Sequence, residues 1–246
     1  MPRLNDPTME EFPNIGTYGF SATKIDDLGS SEYTLCNIVV DASGSVMNFE
    51  TELEKALKET IRACQLSPRA DSLMVRVVKF NNGFEEIHGF KLLEKINLDD
   101  YNNCLKCGGG TLLYDSVINA MDATTKYAQG LFSSDFKCNA ITVILTDGDD
   151  NMSKFGQDSV KESLTKAVAS EALESLMSIL VGVNVQNFSI SSYLKTFKDT
   201  AGFTQYVELN NADAKTLAKL ADFVSKSVSS QSQALGTGGP SQALTF

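Results

Sequence analysis

The sequence predicts an α/β protein with a doubly wound, mostly parallel central sheet of about six strands, one of them an antiparallel edge strand, flanked by helices. Two observations carry this prediction. Apolar segments of strand length alternate with segments of helical periodicity from about residue 31 to about residue 230. Residues 140–147 (AITVILTD) are apolar at consecutive positions, which is typical of a parallel strand covered by helices on both faces.

The strands are predicted from β-branched and apolar runs between turn residues. The first is residues 32–41 (EYTLCNIVVD). The second is residues 71–81, and residues 84–90 after the turn NNG are expected to be its hairpin partner at the sheet edge. Further strands are expected at 140–147, 176–184 and 203–209.

The helices are predicted from apolar residues three and four positions apart. Residues 48–65, for example, carry the stripe Phe49, Leu53, Ala56, Leu57, Thr60, Ile61 and Cys64. The other predicted helices are 98–105 (short), 111–128, 159–175, 190–201 and 213–230. We therefore expect one domain over residues 31–230. Residues 1–30 are expected to form an N-terminal arm with little structure of its own, and residues 231–246 a flexible C-terminal tail.

The composition favours a soluble protein that does not bind nucleic acid. The chain has 246 residues, 31 acidic against 21 basic, and a formal net charge of -10. A nucleic-acid partner requires clustered Lys and Arg, and the sequence has no basic stripe. Its apolar runs are also shorter than a signal sequence or a membrane span requires. We expect a cytoplasmic protein with no membrane partner.

The end of the first predicted strand carries an unusual group of polar residues. Asp41, Ser43 and Ser45 follow three apolar residues in the sequence NIVVDASGSV. A loop of this kind can direct one carboxylate and two hydroxyls to one point, and Gly44 allows the tight path. Oxygen ligands of this type suit a hard divalent ion such as Mg²⁺.

Two further oxygen ligands are expected at the same edge of the sheet. Thr111 follows three glycines at the start of a predicted helix, and Asp147 ends the strand 140–147. Because ligands of doubly wound sheets bind at the carboxyl ends of the strands, Asp41 and Asp147 fall where a site is expected. The sequence therefore predicts a metal site formed by Asp41, Ser43, Ser45, Thr111 and Asp147.

These residues resemble the von Willebrand factor A (VWA) family, whose fold is Rossmann-like. Its metal-ion-dependent adhesion site (MIDAS) has the pattern D-x-S-x-S, then a Thr on a second loop, then an Asp on a third. The resemblance covers roughly residues 31–230. It implies that the three hydroxyls bind Mg²⁺ (or Mn²⁺ or Ca²⁺) and that Asp41 and Asp147 act directly or through water. It also implies that an Asp or Glu of a partner protein takes the open coordination position.

The resemblance extends to bacterial single-domain members of the family. The sequence GGGTLLYD and the segment FVSKSVSS are similar to proteins encoded near tellurite-resistance, kinase, phosphatase or chaperone-type ATPase systems. This likeness implies a role in an intracellular complex or a stress response, with one of those systems as the partner.

Other interpretations of the same residues stay open. The acidic and hydroxyl residues could be helix caps and turn residues, and Asp149 and Asp150 are expected to lie in a solvated acidic turn. The sequence VVDASGS also resembles a haloacid-dehalogenase phosphatase. Those enzymes need an acid two residues after the first Asp, and position 43 is Ser, so we expect no enzyme activity. A structural or assembly protein with a stapling metal is a third possibility.

The five cysteines are predicted to be free thiols: Cys36, Cys64, Cys104, Cys107 and Cys138. Cys104 and Cys107 form a C-x-x-C pair, but a zinc site requires two further Cys or His ligands, and the only histidine is His88.

Overall fold

The computed structural model describes residues 7–15 and 18–246, which form one eight-stranded sheet with helices on both faces. The strands are β1 (Met9–Ile15), β2 (Tyr18–Thr23), β3 (Glu32–Asp41), β4 (Leu73–Phe80), β5 (Phe84–Leu92), β6 (Lys137–Thr146), β7 (Leu176–Gly182) and β8 (Gln205–Glu208). The α-helices are α1 (Glu50–Gln65), α2 (Leu113–Ser133), α3 (Gln157–Val168), α4 (Phe188–Ala201) and α5 (Ala214–Thr237).

The sheet has the order β1-β2-β5-β4-β3-β6-β7-β8. The pairs from β4 through β3, β6 and β7 to β8 are all parallel, whereas β5 is antiparallel to β4, as the turn NNG predicts. From β3 the chain passes first to β4 on one side and later to β6 on the other. The strand order therefore reverses at β3, and this is where a doubly wound sheet forms its binding crevice.

The helices cover the two faces of this sheet with separate apolar clusters. One cluster joins α1 and α5 to the sheet, and it includes Leu53, Leu57, Leu220 and Val224. The other joins α2, α3 and α4 to the opposite face. All seven residues of the stripe predicted at 49–64 are buried. The helical periodicity therefore identified the buried face correctly.

The N-terminal part of the sheet differs from the prediction. Where the sequence predicts an arm with little structure of its own, β1 and β2 form an antiparallel hairpin, and β2 pairs with β5. The sheet consequently has eight strands rather than about six, and β5 is an interior strand rather than the edge. Residues 1–6 and 16–17 of the predicted arm lie outside the described residues.

A buried ion pair and a glycine explain why the hairpin attaches to β5. Glu86 on β5 accepts hydrogen bonds from the backbone N–H (3.1 Å) and the hydroxyl (2.7 Å) of Ser21 on β2, and Arg76 on β4 donates to Glu86 (2.6 Å). A Cβ at Gly89 would lie 2.0 Å from the backbone oxygen of Ser21, so only glycine permits this approach. These partners are far apart in sequence, and no local pattern indicates them.

Several element ends also differ from the sequence prediction. The short helix predicted at 98–105 is a single 3-10 turn (Leu98–Tyr101), and α3 ends at Val168 rather than near residue 175. Helix α5 continues into the predicted tail as far as Thr237. Beyond it, the backbone oxygen of Leu244 accepts a hydrogen bond from the side chain of Gln205 (2.8 Å). No helix in the described part of the chain is long and apolar enough to cross a membrane.

Candidate metal centre

Asp41 is the last residue of β3, and its buried carboxylate is held by uncharged donors. Its Oδ1 accepts a hydrogen bond from the backbone N–H of Ser43 (2.8 Å), and its Oδ2 accepts one from the hydroxyl of Thr146 (2.7 Å). Val40 pairs with Leu145, so Thr146 at the end of β6 lies beside Asp41. The sheet register therefore fixes this carboxylate at the point where the strand order reverses.

The two serines connect this loop to the acid after β6. The hydroxyls of Ser43 and Ser45 lie 3.1 Å apart, and the Ser45 hydroxyl donates to Oδ1 of Asp147 (2.8 Å). Either serine hydroxyl could be the donor in the contact between them. Four of the five predicted site residues are thus joined by short polar contacts across two loops.

Thr111 lies on a loop that packs against the first one. The N–H of Gly44 donates to the oxygen of Gly109 (3.1 Å), and the N–H of Gly108 donates to the oxygen of Ala42 (2.9 Å). Gly109 has a φ of 83°, which favours glycine. The triple glycine therefore lets the Thr111 loop run directly beside the serine loop, and Thr111 itself is buried.

The loop after β6 holds Thr111 from the other side. The backbone N–H groups of Asn151 and Met152 donate to the oxygen of Thr111 (3.1 and 3.2 Å). In return, the N–H of Thr111 donates to the side-chain oxygen of Asn151 (2.9 Å). Nothing in the sequence alone indicates Asn151. An Asn four residues after a strand is a common loop residue, so only the fold reveals its role.

Two acids near the site, Asp150 and Asp115, accept hydrogen bonds from backbone N–H groups. Asp150 was expected in a solvated turn, but its carboxylate accepts hydrogen bonds from the N–H of Tyr114 (3.3 Å) and from the N–H (3.3 Å) and hydroxyl of Ser153. Asp115 is buried and accepts from the N–H groups of Lys154 and Phe155, both at 3.1 Å. Both acids tie the loop after β6 to the start of α2. Asp149 is exposed, as expected.

Both predicted carboxylate ligands are electrostatically unfavourable without a cation. Burial raises the pKa of Asp41 to about 6, against the opposing effect of the hydrogen bonds from Thr146 and Ser43, and the charge of Asp147 adds to the rise. Burial also raises the pKa of Asp147, and the hydrogen bond from Ser45 opposes it. A positive ion between the two groups would relieve both effects.

The donor set fits a hard divalent cation that binds hydroxyl as well as carboxylate oxygens. Among the described residues, no group of three or more His, Cys, Asp or Glu side chains is arranged to hold a metal ion. Two carboxylates and three hydroxyls lie on adjacent loops at this rim, and oxygen ligands of this kind suit Mg²⁺. That Asp41, Ser43, Ser45, Thr111 and Asp147 are the ligands stays a prediction.

The C-x-x-C pair lies in the segment that leads to Thr111. All five cysteines are free. Burial raises the pKa of the Cys104 and Cys107 thiols to about 12, which favours the protonated form at neutral pH. Helix α1 holds this segment, because Glu54 accepts from the N–H of Leu105 (2.9 Å) and Glu50 accepts from the N–H of Cys107 (3.1 Å).

Comparison with known proteins identifies similar structures but no close relative in sequence. No family model and no curated protein matches the chain. The PilB minor pilin from Streptococcus sanguinis is similar over 91% of this chain and 67% of its own, with a TM-score of 0.61 and 15% identity. The open form of the pilus adhesin SpaC from Lactobacillus rhamnosus GG is similar over 92% of this chain and 33% of its own (TM-score 0.60, 12% identity).

A third similar structure contains a metal. Proximal thread matrix protein 1 (PTMP1) from the mussel byssus, with a zinc-occupied MIDAS motif, is similar over 81% of this chain and 46% of its own, with a TM-score of 0.53 and 17% identity. This chain spans only a third of the SpaC adhesin and less than half of PTMP1. At such identities the likeness concerns the fold alone. The chain therefore shares its α/β fold with two pilus proteins and with a protein that holds zinc at a MIDAS.

Proposed function

We propose that this protein is a metal-dependent protein-binding module of the VWA type. In this proposal Asp41, Ser43, Ser45, Thr111 and Asp147 hold a divalent cation, Mg²⁺ in the first instance, with Mn²⁺ or Ca²⁺ as substitutes. The observation that carries it is the polar chain from Ser43 through Ser45 to Asp147, beside the buried Asp41, at the switch in strand order. The fold shared with zinc-bound PTMP1 supports it.

The chain's own groups have distinct roles in this proposal. The hydroxyls of Ser43, Ser45 and Thr111 offer neutral oxygens. The negative charge that the five ligands bring to the cation is therefore that of Asp41 and Asp147 alone. A bound divalent cation would supply an open position and the attraction for one carboxylate of a partner, an Asp or a Glu. Hydrogen bonds from Thr146 and from the backbone N–H of Ser43 fix the orientation of the Asp41 carboxylate.

The surface around the site supports recognition of a protein. Met47 lies two residues after Ser45, and Met152 and Phe155 lie on the loop after β6; all three side chains are exposed. Met152 packs over the Thr111 loop, since a Cβ at Gly110 would lie 2.4 Å from its sulfur. Exposed apolar side chains around a polar centre are typical of protein interfaces, and methionines adapt to different partners.

Hydrolysis is a weaker proposal. A haloacid-dehalogenase phosphatase needs an acid at position 43 to protonate the leaving group, and this residue is Ser43. The only histidine, His88, lies on β5, where its ring nitrogens contact Tyr101 (2.5 Å) and the oxygen of Gly89 (2.9 Å). An open metal position without a general base suits binding better than hydrolysis. A phosphate-release assay on p-nitrophenyl phosphate with Mg²⁺ tests this alternative.

The cellular setting belongs to the proposal as well. The sequence predicts a cytoplasmic bacterial complex or stress response, with a chaperone-type ATPase, kinase or phosphatase system as the partner. The three similar structures described above come instead from pili and from the mussel byssus. A structural protein in which the metal is a permanent staple is the remaining alternative, and it predicts a cation that does not exchange.

Two measurements test the proposed function. Isothermal titration calorimetry with MgCl₂ and MnCl₂ is expected to give one site in the wild type and none in Asp41→Ala. Partner capture from the native host in Mg²⁺ is expected to be lost in EDTA and in Thr111→Ala. Equal capture under all three conditions would place the interaction elsewhere on the surface. A cation that EDTA cannot remove would favour the alternative of a structural protein with a permanently bound metal.

A further inference from the structure

Asn151 makes a two-point contact with the backbone of Thr111. Its side-chain oxygen accepts a hydrogen bond from the N–H of Thr111 (2.9 Å), and its own N–H donates to the oxygen of Thr111 (3.1 Å). The two residues are forty positions apart and lie on different loops. Asn151 therefore binds both backbone polar groups of one residue, Thr111, at the candidate metal centre.

Thr111 lies outside the helix that follows it, so contacts with other loops fix its position. It follows three glycines and precedes the first residue of α2, Leu113, so it is not held by the regular hydrogen bonds of a helix. Gly110 allows the approach, since a Cβ there would lie 2.8 Å from the side-chain oxygen of Asn151. Of the bonds that fix Thr111, the side-chain bond from Asn151 is the one that a substitution can remove.

We propose that Asn151 is a positioning residue that sets the metal affinity of the centre through Thr111. This inference rests on the proposed function. Asn151 holds the loop of Thr111 against the loop that carries Asp147, so that hydroxyl and carboxylate reach one cation together. Asn151 is exposed, and its backbone hydrogen bond to Thr111 is retained on substitution. We therefore expect the Asn151 side chain to affect the position of Thr111 more than the stability of the fold.

The expected effect follows from the role of outer groups in metal sites. Removing a residue that orients a ligand typically weakens metal binding by 10- to 100-fold. Asn151→Ala is therefore expected to weaken Mg²⁺ binding by about tenfold. Asn151→Asp keeps the acceptor for the Thr111 N–H and is expected to restore wild-type affinity or exceed it, because it adds a negative charge near the cation.

A double-mutant cycle with Thr111→Ala distinguishes positioning from general destabilisation. The probe is MgCl₂ alone, measured by calorimetry on the full chain, with thermal unfolding in EDTA as the second readout. Asn211→Ala is a matched control, because Asn211 is exposed and its side-chain oxygen also accepts one hydrogen bond, from Thr216 (2.6 Å). Asn151→Ala is expected to lower affinity in the wild-type background only, with a melting temperature in EDTA equal to that of the control.

The outcomes separate this inference from the proposed function. If Thr111→Ala abolishes or weakens Mg²⁺ binding but Asn151→Ala behaves like Asn211→Ala, the centre stands and the positioning role is overturned. Additive losses from Asn151→Ala and Thr111→Ala would overturn it too, because they would mean that Asn151 acts independently of Thr111. If the wild type binds no Mg²⁺, both the proposed function and this inference are wrong.

Discussion

Glu86 and Asp41 are carboxylates of the same sheet, both shielded from solvent, and their surroundings are opposite. Glu86 on β5 faces the guanidinium of Arg76 at 2.6 Å, and its other oxygen accepts from Ser21. Asp41 at the end of β3 accepts hydrogen bonds from neutral donors, Ser43 and Thr146, and the charge that acts on it is that of another acid, Asp147. Glu86 is thus paired with a positively charged side chain, whereas Asp41 lies near a second negative charge.

The difference separates a structural acid from a binding acid. A buried charge is stable when it is paired and hydrogen-bonded, as Glu86 is. Asp41 has the hydrogen bonds but lacks the opposite charge, and burial raises its pKa to about 6. The protein itself therefore supplies the positive charge that pairs with Glu86. The carboxylate of Asp41 would instead be stabilised by a cation bound from solution.

The largest effect is expected from breaking the internal pair. Arg76→Met leaves Glu86 buried without its cation, and loss of one partner of a buried pair typically destabilises by about 3–5 kcal/mol. Urea unfolding in EDTA measures this loss. Because the pair is remote from the rim loops, the increment in stability that Mg²⁺ gives is expected to be unchanged.

The double variant sharpens this prediction. Arg76→Met with Glu86→Leu removes both charges, so it is expected to lose less stability than the sum of the single variants. Strict additivity would mean that the two side chains do not depend on each other, contrary to the 2.6 Å contact between them.

The next effect concerns the rim. Mg²⁺ at a hundredfold excess over its dissociation constant is expected to stabilise the wild type by about 2.7 kcal/mol, because it binds the folded state only. Thermal unfolding with MgCl₂ and with EDTA measures this. Identical curves would contradict the metal centre. The variant Arg76→Met should still respond, so it is the matched control for Asp41→Ala, which should not.

The contrast between these regions also explains what the sequence could reveal. The position of the candidate site could be predicted because parallel strands end at the same edge of the sheet. Asp41 and Asp147 could therefore be placed together from the strand pattern alone. The helix stripes predicted their buried faces because helical periodicity is local. Neither inference needed to know which distant residues touch.

The remaining features depend on long-range contacts that leave no periodic pattern. The attachment of the N-terminal hairpin depends on Ser21 meeting Glu86, sixty-five positions later, and on the missing side chain of Gly89. The contact of Asn151 with Thr111 is of the same kind. In each case hydrogen bonds between residues far apart in the sequence fix the geometry, and a single sequence does not contain that pairing.

A smaller effect is expected when the charge of Asp41 alone is removed. In Asp41→Asn the new amide can donate to Thr146, whose hydroxyl can then donate to the oxygen of Gly148 at 3.2 Å. The fold is thus retained, and without metal at pH 7 we expect stability equal to the wild type or up to about 2 kcal/mol higher. The response to Mg²⁺ should disappear. A variant that fails to fold would identify Asp41 as a structural cap.

The pH dependence of that difference has a defined sign. The pKa of Asp41 is raised in the folded state from 3.8 to about 6, so the folded protein binds the proton more tightly than the unfolded chain. The destabilisation by the ionised form is therefore present above about pH 6 and disappears as the pH falls toward 4. The advantage of Asp41→Asn over the wild type in EDTA is expected to shrink over the same interval.

The smallest effect is expected at His88, which titrates in the opposite direction. Burial lowers the pKa of His88 below its ordinary 6.5, so the unfolded chain binds the proton more tightly than the folded protein. The stability contributed by the neutral ring is present above pH 6.5 and is lost as the pH falls below it. His88→Gln keeps a polar partner for Tyr101 and removes the titration. In urea unfolding without metal from pH 7.5 to 5.5, the wild type should therefore lose stability relative to His88→Gln, whereas it should gain relative to Asp41→Asn. If the free energy of unfolding changed equally with pH in the wild type and in His88→Gln, the His88 ring would bind protons equally in the folded and unfolded states. The interior at β5 would then tolerate a charged imidazole, as it tolerates the Arg76–Glu86 pair.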